Sequence, residues 1–260
     1  MAQDGASGSS EHNIQAVHTM FTVVDGLREF DSVGVSELAS TLELPKSTTF
    51  VYLKTLEEAG YVVNDGGEYR LGLRFLELGG SIRQRLRLFQ AAKQEIDELS
   101  SQVGEVANLG VMEDGQRVLL YTSQPSDGMF DNAPTGEFTN MHWTALGKAL
   151  LSQLSDERVD AVVDQHGLPS ATDATITERD ALFDELEAIR ERGYAIEDQE
   201  RREGVKAVAI PVRYSDDPDP VAAAAISGPK RRLGDDSLDD GILEGLREAV
   251  NIIELSYKHY

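Results

Sequence analysis

Apolar and polar residues follow a helical period through the first part of the chain, and the pattern predicts three short helices. The first covers Ile14 to Leu27 and carries one apolar stripe: Val17, Met20, Phe21 and Val24. The second runs from Ser36, its predicted N-cap, to about Leu42. The third opens at Pro45, because a proline in the first helical turn lacks only an N–H that would have no helical partner there.

In the third helix the residues divide between two faces. Thr49, Leu53 and Leu56 recur at helical spacing and predict the buried face. The outer, N-terminal side is then left to four polar or basic residues: Lys46, Ser47, Thr48 and Lys54. A recognition helix uses this side to meet the major groove of DNA.

A two-stranded hairpin is predicted directly after the third helix. Strand-like runs between Tyr61 and Gly72 flank the turn Asn64-Asp65-Gly66-Gly67, whose residue types favour hairpin turns. Three helices completed by a hairpin are typical of a winged helix-turn-helix, which binds duplex DNA. Two alternatives stay open from the pattern alone, because such a unit can also be a small helical core without a DNA role or a module that contacts other proteins.

The remainder of the chain mixes helices with strands. Residues 73–88 form a predicted connecting helix with a Gly79-Gly80 interruption, and another helix follows from Phe89 to about Val103. Further predicted elements are a hairpin about residues 113–116, helices over 144–154, 156–165, 178–192 (with Thr177 as N-cap) and 239–257, and strands over 205–214 and 221–227 joined by the turn SDDPDP. Hairpin strands interspersed with helices predict an α+β fold with an antiparallel sheet covered by helices.

Composition is typical of a globular protein, since 40% of the 260 residues are hydrophobic. No apolar run approaches the roughly 18 residues of a membrane span, so no membrane association is expected. Residues 1–12 are polar and lack the apolar stretch of a signal peptide, which predicts a disordered leader. These features and the absence of cysteine favour a cytoplasmic protein.

The net charge of −22 is the reverse of what phosphate binding requires. The acidity is uneven, however, because residues 1–87 contain 8 basic and 12 acidic residues whereas residues 88–260 contain 16 and 34. Only 7 of the 24 basic residues are lysine. Abundant Asp and Glu with little Lys resembles the proteins of salt-loving, haloarchaeal organisms, and the alternative is an ordinary acidic surface.

No catalytic motif is present. The five histidines are not at metal-ligand spacing, and the sequence contains no HExxH, GxSxG, GxxxxGK[ST] or GxGxxG motif. The run from Glu197 to Glu200 could offer an acid–base pair, but in so acidic a chain a solvated face is the better interpretation. We therefore expect no metal, no cofactor and no enzymatic activity. A small-molecule enzyme stays the third hypothesis, after a DNA-binding regulator and a ligand sensor that contacts proteins.

Five segments in order resemble the IclR family of transcription regulators. They are LPKSTTFVYLKTLEEAGYV, YRLG at 69–72, HWTALGKALL at 142–151, RGYAIEDQERREGVKAVAIPV at 192–212 and ISGP at 226–229. The resemblance runs from about Ile14 to Tyr260. It implies a winged helix-turn-helix, a linker helix used in dimerisation, and a GAF-like domain that binds a small metabolite, here over 13–72, 73–88 and 89–260. Family homodimers commonly pair into tetramers on DNA.

The pattern and the resemblance together predict a set of DNA contacts: Lys46, Ser47, Thr48, Thr49, Phe50, Val51, Tyr52 and Lys54 of the third helix, and Arg70 of the hairpin. We expect Arg70 to touch phosphate. Family recognition helices usually carry polar or basic residues where Phe50 and Val51 stand. These side chains could contact thymine methyl groups, and the alternative is that Phe50 packs against the hairpin.

For the effector, ligand-binding positions of the family align with six residues of this chain: Ala145, Leu146, Glu197, Ala207, Ala225 and Ser227. Ala207 and Ala225 stand where cysteine and serine are common, so the ligand's identity stays open. Thr144 can cap a helix whose N–H groups suit an anion, and Gly147 permits either a close backbone approach to a ligand or tight helix packing. The expected function is a regulator that binds a duplex operator, senses a small organic acid or sugar-derived metabolite, and controls catabolic genes.

Overall fold

The computed structural model describes residues 14–125, 133–213, 222–234 and 240–259. The chain forms two compact units that divide between Ser81 and Ile82, inside the predicted connecting helix. Each unit has its own apolar core. None of the helices in the described ranges is long and apolar enough to cross a membrane.

The first unit is a three-helix bundle completed by a small antiparallel sheet. In chain order its elements are α1 (Gln15–Arg28), β1 (Val33–Gly34), α2 (Val35–Thr41), α3 (Lys46–Glu58), β2 (Val62–Asp65) and β3 (Glu68–Leu71). The strand order is β1-β3-β2. The predicted winged helix-turn-helix is confirmed, and β1 is an addition that is too short to show a period in the sequence.

The β2–β3 hairpin forms where its turn residues predict it. Gly66 and Gly67 connect the strands with φ values of 63° and 102°, a backbone conformation that glycine adopts without strain. Asn64 Oδ1 accepts a hydrogen bond from the Gly67 N–H at 2.9 Å and closes the turn.

The start of each helix and the buried face of α1 differ in detail from the prediction. Ser36 lies inside α2, whose N-cap residue is Gly34, and Pro45 is the N-cap residue of α3. The predicted stripe of α1 is right at Met20 and Val24 and wrong at Val17 and Phe21, because the buried face of the helix follows Met20, Val23, Val24 and Leu27. The core residues of α1 are Val23, Val24 and Leu27, whereas Val17 and Phe21 are exposed.

The predicted connecting helix is interrupted near its C-terminal end. Helix α4 covers Arg74–Arg85 and continues through both Gly79 and Gly80, and α5 covers Arg87–Val103. Leu86 stands between the two helices with an extended backbone. The sequence signal at the glycine pair is therefore not the point at which the helix ends.

The second unit is a six-stranded antiparallel sheet with helices on both faces. After α5 its elements are β4 (Val106–Glu113), β5 (Gln116–Ser123), β6 (Phe138–Asn140), a 3₁₀ helix (Met141–Trp143), α6 (Ala145–Leu151), α7 (Asp156–His166), α8 (Arg179–Arg192), β7 (Ala195–Asp198), β8 (Val205–Val212), β9 (Ala222–Pro229), α9 (Lys230–Leu233) and α10 (Asp240–Tyr257). The strand order is β6-β5-β4-β9-β8-β7, and every described pair is antiparallel.

Alternate residues of β8 and β9 show why both faces are covered. Val208 and Ile226 belong to the core beneath α5 and α10, whereas Ala207 and Ala225 belong to the core beneath α6, α7 and α8. Successive side chains of a strand point to opposite faces, so near-continuous apolar strands require cover on both. The predicted α+β fold is confirmed.

Some predicted boundaries differ from those in the structure, and others lie outside the described residues. Thr177 is not a cap, because Glu178 is the N-cap residue of α8. The strands β6 and β7, the 3₁₀ helix and α9 were not predicted, and each has only three or four residues. The predicted leader, the turn SDDPDP, and the predicted element ends at Tyr214, Val221 and Asp239 lie outside the described residues.

Candidate nucleic-acid interface and effector pocket

The outer surface of α3 carries most of the residues predicted to face DNA. Its exposed or partly exposed side chains include Lys46, Ser47, Thr48, Phe50, Val51 and Tyr52. Lys46, Ser47 and Phe50 also line an open groove between the start of α2 and the tip of the β2–β3 hairpin. Arg70 lies on β3 with an exposed side chain. The first turns of α3 and the hairpin thus share one accessible surface.

Two predicted DNA contacts have partners within the protein. Thr49 is fully buried and its hydroxyl donates to the carbonyl of Pro45 at 3.3 Å, so its inclusion among the DNA contacts is corrected: Thr49 is a core residue. Lys54 pairs with Glu57 at 2.8 Å, and this hydrogen bond raises the pKa of Lys54. A phosphate would have to compete with Glu57 for the ammonium group.

The apolar residues of α3 have different surroundings. Phe50 lines the groove together with Gly67 and Glu68 but is 44% exposed, so its packing against the hairpin stays a prediction. Val51 lines a second depression, formed with α1. Both side chains keep exposed surface, so contact with thymine methyl groups stays open.

Acidic residues outnumber basic residues in the first unit. Residues 14–81 contain 5 basic and 10 acidic residues, and Glu37 and Glu68 line the groove beside Lys46. This charge opposes the approach of phosphate at low ionic strength. Salt reduces the range of the repulsion to about 3 Å at 1 M, so the repulsion weakens as the salt concentration rises.

A pocket in the second unit brings together most of the residues predicted to bind the effector. It contains about 530 Å³ of space between atoms, open solvent at its mouth included. Fourteen residues line it: Asn108, Arg117, Leu119, Ala133, Thr144, Ala145, Leu146, Glu197, Arg201, Arg202, Val205, Ala207, Ala225 and Ser227. All predicted effector residues except Gly147 are in this lining, and their roles in binding stay a prediction.

Gly147 has a packing role instead. Thr144 caps α6 as predicted, and its hydroxyl oxygen accepts the Gly147 N–H at 3.0 Å. A Cβ atom at Gly147 would lie 2.1 Å from the carbonyl oxygen of Met141, so only glycine fits. The close approach at this position is to the backbone of the 3₁₀ helix, and Gly147 does not line the pocket.

Ser227 is positioned by a neighbour that the sequence pattern did not reveal. Asn108 Nδ2 donates to Ser227 Oγ at 2.9 Å, and both residues are buried. Because the oxygen accepts this bond, the hydroxyl hydrogen can donate in another direction. A polar Asn in the otherwise apolar run of β4 is the signal that could have identified it.

Glu197 is a buried carboxyl group in the wall of the pocket. Its side chain is 4% exposed, and Oε1 accepts the backbone N–H of Arg201 at 3.3 Å. Burial raises the pKa of Glu197 to about 7, and the charge of Glu200 acts in the same direction. Both protonation states are therefore accessible near neutral pH, so Glu197 can accept or donate a hydrogen bond.

A buried ion pair lies close to Glu197 in sequence. Lys148 Nζ is 2.6 and 2.7 Å from the two carboxylate oxygens of Glu200 and 3.6 Å from Glu185 Oε1. Glu197 and Glu200 are both buried, so the interpretation of this acidic run as a solvated face is wrong. The cationic partner is supplied from α6, which is distant in sequence, and this compensates the buried charge.

Three arginines, none of them predicted, also line the pocket. Arg117 comes from β5, and Arg201 and Arg202 follow β7. Arg117 and Arg201 both donate to Glu137, at distances of 2.9 to 3.1 Å. The lining thus carries three cationic side chains against one carboxyl group, Glu197, which favours a ligand with negative charge. Within the described parts of the chain, no group of His, Asp and Glu could hold a metal ion.

Comparison with known proteins identifies the family. The family description "Bacterial transcriptional regulator IclR C-terminal" matches residues 81–255, and "IclR helix-turn-helix domain" matches residues 21–66. The acetate operon repressor of Salmonella typhimurium is 35% identical over 213 residues, which are 80% of this chain and 77% of that protein. A Halobacterium salinarum protein named as an HTH-type transcriptional regulator, ArcR, is 28% identical over 98% of both chains.

A solved structure agrees with these matches. The protein from Rhodococcus sp. RHA1, described as a transcriptional regulator, has a TM-score of 0.80 and 28% identity, and it covers 95% of this chain and 99% of that one. The family matches follow the order of the two units, and the relatives named above are regulators, not enzymes. The resemblance seen in the sequence is confirmed, and the chain belongs to the IclR family of transcription regulators, with a DNA-binding helix-turn-helix and an effector-binding C-terminal domain.

Proposed function

We propose that this regulator binds a duplex operator through the exposed surface of α3 and senses a small hydroxylated organic acid, such as a sugar acid, in the pocket of its second unit. Control of catabolic genes is the output. The observation that carries this proposal is the pocket itself, where the aligned ligand positions share one space with three arginines.

The chemistry of the lining supports an acid that also carries hydroxyl groups. Arginine side chains recognise carboxylates through charge-assisted hydrogen bonds. Ser227 offers a hydroxyl hydrogen, and Glu197 can accept hydrogen bonds from ligand hydroxyl groups. A plain short carboxylate would leave Glu197 beside an anion without a compensating hydrogen bond, which favours the hydroxylated acid.

A panel of ligands tests the effector assignment. We expect gluconate to bind measurably by calorimetry and to change operator affinity, whereas gluconamide, which lacks the negative charge, should bind at least about tenfold more weakly. Ser227→Ala should weaken gluconate binding by about 0.5 to 1.5 kcal/mol, because one hydrogen bond is lost. Ser256→Ala on α10 is a matched control that should bind as wild type does. Equal binding of gluconate to wild type and Ser227→Ala would place the site elsewhere.

Operator binding tests the role of α3. We expect Lys46→Ala to weaken binding to all sequences alike and to reduce the slope of log K against log salt by about 1, because one phosphate contact is lost. Lys258→Ala removes the same charge from the C-terminal end of the chain and is the matched control. Gel-shift titrations at several salt concentrations measure both. A Lys46→Ala protein with wild-type affinity and slope would contradict the prediction that the first turn of α3 contacts DNA.

A further inference from the structure

Two arginines of the pocket share a single carboxylate of the protein. Arg117 Nη2 donates to Glu137 Oε2 at 3.1 Å, and Arg201 Nη2 donates to both carboxylate oxygens at 2.9 Å. Both arginines line the pocket, whereas Glu137 does not. The guanidinium groups that would receive a ligand's carboxylate are therefore already bound to one from within the chain.

The backbone of Glu137 is fixed independently of its side chain. The Leu119 N–H donates to the Glu137 carbonyl at 3.0 Å, and the Gly136 N–H donates to the Leu119 carbonyl at 2.7 Å. These bonds tie the segment to β5, directly before β6. The carboxylate can therefore leave the arginines by rotation about side-chain bonds, without a change in the sheet.

Burial differs sharply between the partners. The side chain of Arg117 is 2% exposed, whereas that of Glu137 is 23% exposed. A buried guanidinium needs an anion next to it, because an uncompensated charge in the interior is strongly destabilising. A carboxylate at the edge of solvent can be hydrated instead. Separation of the pair therefore costs the buried Arg117 more than it costs Glu137, which solvent can reach.

From this asymmetry we infer that Glu137 is an internal competitor of the effector: a carboxylate of the ligand replaces Glu137 on Arg117 and Arg201, and Glu137 turns to solvent. The inference rests on the proposed function. It adds that Glu137 sets the ligand concentration needed for binding. Neutral ligands are rejected, because an uncharged group cannot replace the charge-assisted hydrogen bonds that Arg117 and Arg201 make with Glu137.

Removal of the competitor tests this directly. In Glu137→Gln, we expect calorimetry with gluconate to give a dissociation constant about tenfold or more below that of wild type, since a site blocked for most of the time loses apparent affinity in proportion. Gluconamide should gain less than gluconate, because an uncharged group makes no charge-assisted hydrogen bonds with the arginines. Glu137→Asp keeps the charge but shortens the side chain by one carbon, so it should give a smaller gain in gluconate affinity. It is the variant to measure if Glu137→Gln does not fold. Asp156→Asn, which removes the carboxylate bonded to Arg190 at 3.0 Å, is the matched control and should leave gluconate binding unchanged.

The outcomes separate this inference from the proposed function. Equal gluconate affinity in wild type and both Glu137 variants would overturn the competitor role while leaving the effector pocket in place. Weaker binding in both variants would also overturn it, because Glu137 would then be orienting the arginines for the ligand. Absence of gluconate binding to wild type and to every variant would overturn the inference together with the sugar-acid assignment, while the Lys46→Ala operator measurements would still test DNA binding.

Discussion

At pH 8, Glu197→Gln is expected to be more stable than wild type by about 3 kcal/mol, and at pH 4 the two proteins should be about equally stable. Burial raises the pKa of Glu197 from 4.5 to about 7. A tenfold change in acid strength is equivalent to about 1.4 kcal/mol between the two protonation states, so this rise in pKa corresponds to the stated stability difference. A neutral glutamine can keep the hydrogen bond that Glu197 Oε1 accepts from the Arg201 N–H.

The pH window follows from the direction in which the pKa moves. Between pH 4.5 and about 7 the folded protein holds a proton on Glu197 that the unfolded chain has released. The free energy of unfolding therefore falls as pH rises through this window, and the contribution is fully present only below pH 4.5. Glutamine does not titrate, so the difference between variant and wild type should grow from pH 4 to pH 8 and then stay constant.

Urea unfolding of both proteins at several pH values measures this difference, because carboxyl groups distant from Glu197 titrate alike in both. Glu187→Gln, at an exposed site on α8, is the control and should show no such growing difference. A constant offset between Glu197→Gln and wild type from pH 4 to pH 8 would mean that Glu197 is not the titrating group.

The same group should make effector binding depend on pH. Above pH 7 the Glu197 carboxylate is charged and repels an anionic ligand, whereas below it the carboxyl group is neutral and can donate a hydrogen bond. The affinity for a carboxylate is therefore expected to rise as pH falls through about 7. An acidic residue that titrates beside three arginines therefore makes the pocket's affinity for an anion depend on pH.

Local signals explain why the three helices and the hairpin of the winged helix-turn-helix could be predicted. Pro45 stands at the start of the recognition helix, and Gly66 and Gly67 form the hairpin turn that their conformational freedom allows. Each signal acts within a few residues. At Thr49 two local signals disagree: its helical spacing predicts the buried position that it occupies, whereas its polar side chain suggests a DNA contact.

The pocket depends on contacts that no local pattern contains. Glu137 is 20 residues from Arg117 and 64 from Arg201, and the three meet only because β5, β6 and the segment after β7 fold together. The aligned ligand positions came from the family resemblance, not from periodicity. The arginines could not be assigned in this way, since nothing in a single sequence distinguishes an arginine of a pocket from one of a surface.

Substitution of Leu76 and Ile82 together by Asp is expected to convert a homodimer to monomers and to reduce operator affinity by about 10² to 10⁴. The side chains are 69% and 65% exposed on α4, and Leu73 and Leu78 are exposed beside them. Exposed apolar side chains in such number, on α4 and at the residue before it, indicate a surface that another protein covers. In a symmetric dimer, this patch on one copy of the chain would pack against the same patch on the other copy.

The size of the effect comes from the two half-sites of an operator. A dimer that has bound one half-site holds its second reading unit close to the other, and this effective concentration raises the overall affinity by the stated factor. Sedimentation would measure the oligomeric state, and gel shifts would compare a full operator with an isolated half-site. The affinity for the full operator should differ between the variant and wild type, whereas the affinity for an isolated half-site should be the same. Leu255→Asp, at an exposed apolar site on α10, should leave the dimer intact. A double variant that stays dimeric would exclude α4 as the source of dimerisation. A monomeric variant that binds the full operator as wild type does would contradict the dependence of operator affinity on the dimer.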